Sequence, residues 1–138
     1  MTGVQTCALP IFSSIPGTYT DLVLVSNVAT TSSTNFGYYL NNDSANNYCV
    51  VNMYGNGSST SSANSTTEGA LWANWSNYTS TTVGNSIYIS NIQNYASTSM
   101  YKTVITRGDF GGQGTEIVIG VWKSLSAVTS IVITTPSG

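Results

Sequence analysis

The side chains that could do chemistry are few and widely spaced in this sequence. Three basic and five acidic residues, and no histidine, occur in 138 residues. Four isolated carboxylates could form the acid pair of a glycoside hydrolase only if the fold brought them together: Asp21, Glu68, Asp109 and Glu116. Cys49 lacks the histidine base that a catalytic thiolate needs, and we expect it to be a small buried apolar residue. We therefore predict that the chain is not an enzyme and needs no cofactor.

One short segment combines aromatic and amide side chains as sugar-binding surfaces do. Flat aromatic faces contribute contact area at little entropic cost, and amides and hydroxyls supply polar partners. The segment predicts a glycan contact made by Trp72, Asn74, Trp75, Asn77 and Tyr78. The alternative is that Trp72 anchors the core, because a regular strand places Trp72 and Trp75 on opposite faces.

Two further motifs have simpler explanations than a binding site. Asp43 lies in loop 41–47, which has the oxygen density of a calcium loop, but a single carboxylate gives little charge and EF-hand spacing is absent. We favour a hairpin loop stabilised by its Asn and Asp side chains, and expect no metal. Arg107, Gly108 and Asp109 spell an adhesion tripeptide, but at a strand end they predict a turn.

The overall composition excludes several classes of partner. Ser, Thr and Asn make up about 40% of the chain, far above the average for soluble proteins. The net charge of -2 and the dispersed basic residues argue against nucleic acid, because phosphate neutralisation needs clustered Lys and Arg. No apolar run approaches the roughly 20 residues of a membrane helix, so no membrane partner is expected. Such a polar, weakly charged chain is typical of extracellular and virion surfaces.

The elements that position these residues are predicted to be strands, because several segments alternate at period two and none has a helical period. The candidate strands are 19–25, 36–40, 48–54, 70–75, 86–92, 100–106, 116–122 and 127–134. About eight short strands separated by turn signals predict an all-β fold, an antiparallel β-sandwich of jelly-roll or Greek-key type. The Ser- and Thr-rich segment 58–67 is expected to be a long polar connection.

The faces of individual strands are also predicted by alternation. Leu22 and Leu24 oppose Val23 and Val25, and apolar residues on both faces predict a strand that is covered on each side. In segment 86–92 we expect two isoleucines, Ile87 and Ile89, to face inward and the tyrosine between them to face outward. Trp122 is expected in the core, because its strand is apolar on both sides.

The first eleven residues, MTGVQTCALPI, resemble the translation of a short-read sequencing adapter along their whole length. We therefore expect residues 1–11 to be an artefact and exclude them from fold reasoning. Cys49 is then the single native thiol, so no intrachain disulfide is expected. Residues 12–138 are predicted to form one domain, large enough for its own core.

Four runs in a common order carry a family resemblance. They are IPGTYTDLVLV from Ile15, NGS from Asn56, IYISNIQNY from Ile87 and GVWKSLSAVTSI from Gly120. Over about residues 15–134 the chain resembles a group of uncharacterised virion-associated proteins of tailed bacteriophages. In that group a short final strand usually follows the position of Gly138, so we expect this chain to lack it. Because the adapter-like segment is expected to stand where the native N-terminus should be, the domain is predicted to be truncated at both ends.

The resemblance implies a non-enzymatic structural or adhesive virion component, such as a fibre, tail or head-decoration domain. Its expected partners are other virion proteins or a host cell-surface glycan, and a homo-oligomer is compatible with it. It carries no site residues over to this chain, because fold-level likeness alone assigns none. The alternative prediction is a free-standing carbohydrate-binding module that uses the aromatic and amide side chains of segment 72–78.

Overall fold

The structure, a computed structural model, describes residues 10–76, 79–82, 86–109 and 112–135. Within these ranges the chain forms ten strands. They are β1 (Ile11–Phe12), β2 (Leu22–Asn27), β3 (Phe36–Leu40), β4 (Tyr48–Gly55), β5 (Thr60–Glu68), β6 (Leu71–Asn74), β7 (Ile87–Ile92), β8 (Lys102–Asp109), β9 (Thr115–Trp122) and β10 (Ile131–Thr134).

These strands form two antiparallel sheets that pack together. The smaller sheet has four strands in the order β1-β10-β3-β6, and the larger has six in the order β2-β7-β8-β9-β4-β5. Buried side chains from both sheets form one hydrophobic cluster between them. The predicted all-β sandwich is thereby confirmed, and the choice between a jelly-roll and a Greek-key type stays a prediction.

The core contains several aromatic side chains, and the tyrosine of β7 is one of them, contrary to the predicted orientation of that strand. Tyr88 is 1% exposed, whereas Ile87 is 42% exposed. Tyr88 can point inward because Gly108 pairs with it on β8: a Cβ at Gly108 would lie 2.3 Å from the Cδ1 atom of the Tyr88 ring. Trp122 is buried, as predicted, and its ring stacks against Tyr48 at a centroid distance of 6.5 Å.

The segment predicted as a long polar connection is a strand. Residues Thr60–Glu68 form β5 and pair with β4, after a turn in which the Asn56 side chain accepts backbone hydrogen bonds from Ser58 and Ser59. Most β5 residues are exposed because the strand is the edge of the larger sheet. Alternation arises from one buried face, so a strand with solvent on both faces carries no period-two signal.

A short strand near the start of the chain, β1, forms one edge of the smaller sheet. Ile11 pairs with Val132 and Phe12 pairs with Ile131, and the Pro10 carbonyl accepts a hydrogen bond from the Ile133 N–H. Ile11, the last residue of the adapter-like segment, therefore lies in the sheet. Residues 1–9 of that segment, including Cys7, lie outside the described residues.

Candidate functional site

The residues of the predicted glycan contact do not form one surface in the described part of the chain. Trp72 is half-buried on β6, and its indole N–H donates to the Glu68 carboxylate at 2.8 Å. Trp75, also half-buried, follows the end of that strand, where the chain leaves the smaller sheet. Asn77 and Tyr78 lie outside the described residues.

Asn74 faces the core, not the solvent. Its side chain is 0% exposed, and its amide donates to the Tyr88 hydroxyl at 2.8 Å and to Thr79 Oγ1 at 3.4 Å. Its side-chain oxygen accepts from the Ser76 backbone N–H at 2.9 Å. Both ends of the amide are thus used in holding the loop after β6 against the core. In this structure Asn74 is fully buried and offers no surface to a ligand, so the predicted glycan contact gains no support from it and stays a prediction.

A buried carboxylate lies beside this loop, at the end of the sandwich where β9 begins. Glu116 is 4% exposed, and its Oε1 accepts from Asn52 Nδ2 at 2.8 Å, from Ser76 Oγ at 2.9 Å and from the Trp75 N–H at 3.2 Å. Its Oε2 is buried and has no hydrogen-bond partner among the described residues. Glu116 therefore joins the larger sheet to the loop after β6, and this is a structural task.

Asp43 organises the loop between β3 and β4 through hydrogen bonds that it accepts. Oδ1 accepts from the Ala45 N–H at 3.0 Å, and Oδ2 accepts from Asn47 Nδ2 at 3.0 Å and from Trp122 Nε1 at 2.8 Å. A calcium ion needs several carboxylate or carbonyl oxygens, whereas these two oxygens already face N–H donors. The interpretation as an Asx-stabilised loop therefore fits the observed contacts.

Titration of Asp43 is expected to make the stability of the fold depend on acid pH. Partial burial favours the neutral acid, but the three hydrogen bonds outweigh it and lower the pKa of the Asp43 carboxyl below its usual value. The stabilisation is therefore complete above about pH 4 and is lost as the pH falls through the lower, folded-state pKa. We expect Asp43→Asn to reduce the free energy of unfolding by about 1–2 kcal/mol at pH 7, because the introduced amide nitrogen cannot accept these bonds.

Urea unfolding at pH 7 and at pH 2.5 measures this effect. The difference between the wild type and Asp43→Asn is expected to shrink at the lower pH, because the carboxyl of the unfolded chain binds a proton there and the folded state loses its advantage. Asp21→Asn is the matched control, because the hydrogen bond that the Asp21 carboxylate accepts from the Asn94 N–H is exposed to solvent. A difference for Asp43→Asn that is constant with pH would contradict the proposed titration.

Three of the four carboxylates considered as hydrolase acids, Asp21, Glu68 and Glu116, have separate structural contacts. Asp21 binds the Asn94 N–H, Glu68 binds Trp72, and Glu116 is enclosed between the sheets. Asp109, which also has an interaction of its own, ends β8. Among the described residues there is no group of three or more His, Cys, Asp or Glu side chains that could hold a metal ion.

The tripeptide from Arg107 to Asp109 is not a turn. These residues are the last three of β8, and they pair with Ile117, Glu116 and Thr115 of β9. The prediction of a turn was wrong because the glycine is needed for close packing against Tyr88, not for a change of chain direction.

An exposed apolar sheet face is the feature that sequence reasoning missed. The side chains of β2 that oppose Leu22 and Leu24 point away from the core, and Val23 and Val25 are 61% and 60% exposed. The prediction that β2 is covered on both sides is therefore wrong. Cys49 lies on the same outer face and is half-buried, not buried as expected.

Apolar residues continue across the outer face of the six-stranded sheet. The large hydrophobic residues there that remain exposed are Val23, Val25, Val51, Met53, Ile87 and Ile119. We call the surface that they form the outer apolar face. The signal in the sequence was the presence of apolar residues at both phases of several strands, which indicates either a second cover or an exposed apolar surface.

Comparisons with known proteins assign no family to this chain, so its class is given by its fold. The chain is an antiparallel β-sandwich by its sheets and core. No family model, no curated protein and no solved structure matches it. Within the described ranges, no helix has the length and apolar character needed to cross a membrane.

Proposed function

We propose that this chain is a non-enzymatic structural domain of a tailed-bacteriophage virion, working by contact with neighbouring virion proteins or a host surface. The observation that carries the proposal is the outer apolar face. Its six exposed residues keep between 38% (Ile119) and 61% (Val23) of their surface accessible. Contiguous apolar surface of this kind marks sites of protein contact, because leaving it in water is unfavourable.

The non-enzymatic part of the proposal is supported by the way the carboxylates are used. Each of Asp43, Glu68 and Glu116 accepts hydrogen bonds that hold an indole or a loop in place. A general acid or base has to reach the proton that it transfers in a bound substrate. Carboxylates that tie structural elements together are poorly placed for that role.

A glycan on the host surface is the less favoured partner. Of the described residues proposed for that contact, Asn74 is enclosed in the core and Trp72 directs its N–H to Glu68. An aromatic ring alone gives contact area without the polar partners that fix a sugar's orientation. Contact with protein surfaces is better supported, since the outer apolar face offers many adjacent side chains.

Purified particles of a phage that encodes this chain test the proposal. After a density gradient, nuclease treatment and a salt wash, trypsin should release the peptide Gly108–Lys123, because cleavage follows Arg107 and Lys123. We expect this peptide in the particle fraction together with the capsid protein. A phage replication enzyme followed in the same gradient is the control. Recovery of the peptide only from the soluble fraction, with the control enzyme, would contradict a virion role.

A further inference from the structure

Five of the six residues that define the outer apolar face belong to two rows of side chains that cross five neighbouring strands, and Ile87, which pairs with Asn27, lies beside the second row. Residues paired directly across antiparallel strands point to the same face of the sheet. The first row consists of Val23, Asn91, Ile105, Ile119 and Val51. The second row consists of Val25, Ile89, Arg107, Ile117 and Met53. Eight of these ten residues are apolar, so the face is nearly continuous from β2 to β4.

The few charges on this face are balanced. Arg107 is the one charged residue in the two rows, and it lies between Ile89 and Ile117. Asp109 follows two residues later on the same strand, so the face carries one charge of each sign at the end of β8. A partner of opposite net charge is therefore not required. A surface of the same composition satisfies it equally well, and Arg is a common residue within protein interfaces.

The area of the face suits a dimer interface. Scaled to the area of a fully exposed Val, Ile or Met residue, the six exposed residues present on the order of 500 Å². Four half-buried residues, Ile89, Ile105, Ile117 and Val121, extend this surface. Together they bring it towards the roughly 800 Å² that each partner contributes to a standard interface.

We infer that the outer apolar face binds the same face of a second copy of this chain, and that the two six-stranded sheets stack in a symmetric dimer. This inference rests on the proposed contact function and names its partner. A twofold interface is self-complementary, and such dimers are the commonest oligomers of soluble proteins. Stacking two sheet faces excludes water from the apolar rows, as the packing between the two sheets of the sandwich does.

Sedimentation equilibrium of the full chain, together with face variants, tests this inference. The wild type is expected to be a dimer at micromolar concentration. Ile119→Lys places a charge in the first row and should raise the dimer dissociation constant at least about 100-fold. Val51→Thr, which keeps the side-chain shape, should raise it about 10-fold and guards against a folding defect in the lysine variant. Leu125→Lys is the matched control, because Leu125 is exposed in the loop after β9 and off the face.

Alkylation of Cys49 provides a second measurement of the same contact. Cys49 pairs with Val121 next to the first row, and in a Cys7→Ser background it is the single thiol. Its rate of reaction with a maleimide is expected to fall as the protein concentration rises. In Ile119→Lys the rate should not change with concentration.

Three results would overturn the inference. The first is a wild-type monomer at about 100 μM, far above the concentration at which specific dimers form. The second is a dimer that persists in both face variants. The third is equal loss of the dimer in Leu125→Lys. A monomer that co-purifies with virions would overturn the dimer and leave the virion role standing. A dimer that uses this face but is missing from virions would support this surface and contradict the virion role.

Discussion

Replacing Lys102 with methionine is expected to lower the free energy of unfolding by about 3 kcal/mol, since hydrogen bonds to charged groups contribute more than neutral ones. Lys102 is 0% exposed, and its Nζ donates to the backbone carbonyls of Ser97 at 2.6 Å, Met100 at 2.9 Å and Ser124 at 3.4 Å. It therefore connects the loop before β8 to the loop after β9. Methionine keeps the length of the apolar stem and removes the donors.

The cost comes mainly from the groups that would be left behind. Three carbonyls, in partly buried contacts, would lose a charged donor. The ammonium also lies 5.9 Å from the centroid of the Trp122 ring, whose face attracts a cation. Burial lowers the pKa of the Lys102 ammonium, because desolvation disfavours its charged form. The hydrogen bonds therefore offset a desolvation cost that the wild type already carries.

Lys123→Met is the matched control, measured by chemical unfolding followed through tryptophan fluorescence. The Lys123 ammonium also donates to one backbone carbonyl, that of Thr66, at 2.9 Å, but this contact is exposed to solvent. We expect a change of less than about 0.5 kcal/mol, because water replaces a lost surface contact. An equal decrease in the free energy of unfolding for the two variants would show that the three hydrogen bonds from Lys102 to backbone carbonyls do not stabilise the fold.

Glu116→Ala is expected to lower the free energy of unfolding by about 3 kcal/mol, whereas Glu116→Gln should change it by less than about 1 kcal/mol. Alanine leaves the Asn52 amide, the Ser76 hydroxyl and the Trp75 N–H without their shared acceptor. Glutamine keeps a carbonyl oxygen at that position. It also replaces Oε2, the buried oxygen for which the described residues offer no partner.

The comparison of the two Glu116 variants separates acceptor geometry from charge. If the acceptor matters, Gln retains stability and Ala does not, as measured by urea unfolding at pH 7. A loss of about 3 kcal/mol in both variants would show that the negative charge itself stabilises the loop after β6. Ser76→Ala removes one of the three donors and is expected to fall between the wild type and Glu116→Ala.

Local alternation identified most strands because it depends on chain geometry alone. Successive side chains of a strand point to opposite faces, so the pattern in 86–92 and 100–106 is readable without a partner. Residues 60–68 were missed because both faces of β5 meet solvent and the pattern is uniformly polar. The strand exists through its pairing with β4, which the local sequence does not encode.

The candidate sites were harder to predict from the sequence than the fold was. Asn74 has a surface-like residue type, and only the position of Tyr88 across the core turns it inward. The Glu116 contacts to Asn52 and Trp75 join residues that lie far apart along the chain. Hydrogen-bond partners at such separations depend on how the two sheets are stacked, and no local pattern specifies them.

An all-β chain with few titratable groups can be inferred from the amino-acid sequence alone, because composition and period-two alternation are properties of the chain. Which face of each strand is covered depends on how the two sheets pack. Where both phases are apolar, as at Leu22 and Val23, exchanging the two faces leaves the pattern almost unchanged. The smaller sheet packs against one face of the larger sheet, whereas apolar residues on the other face, such as Ile119, keep part of their surface exposed.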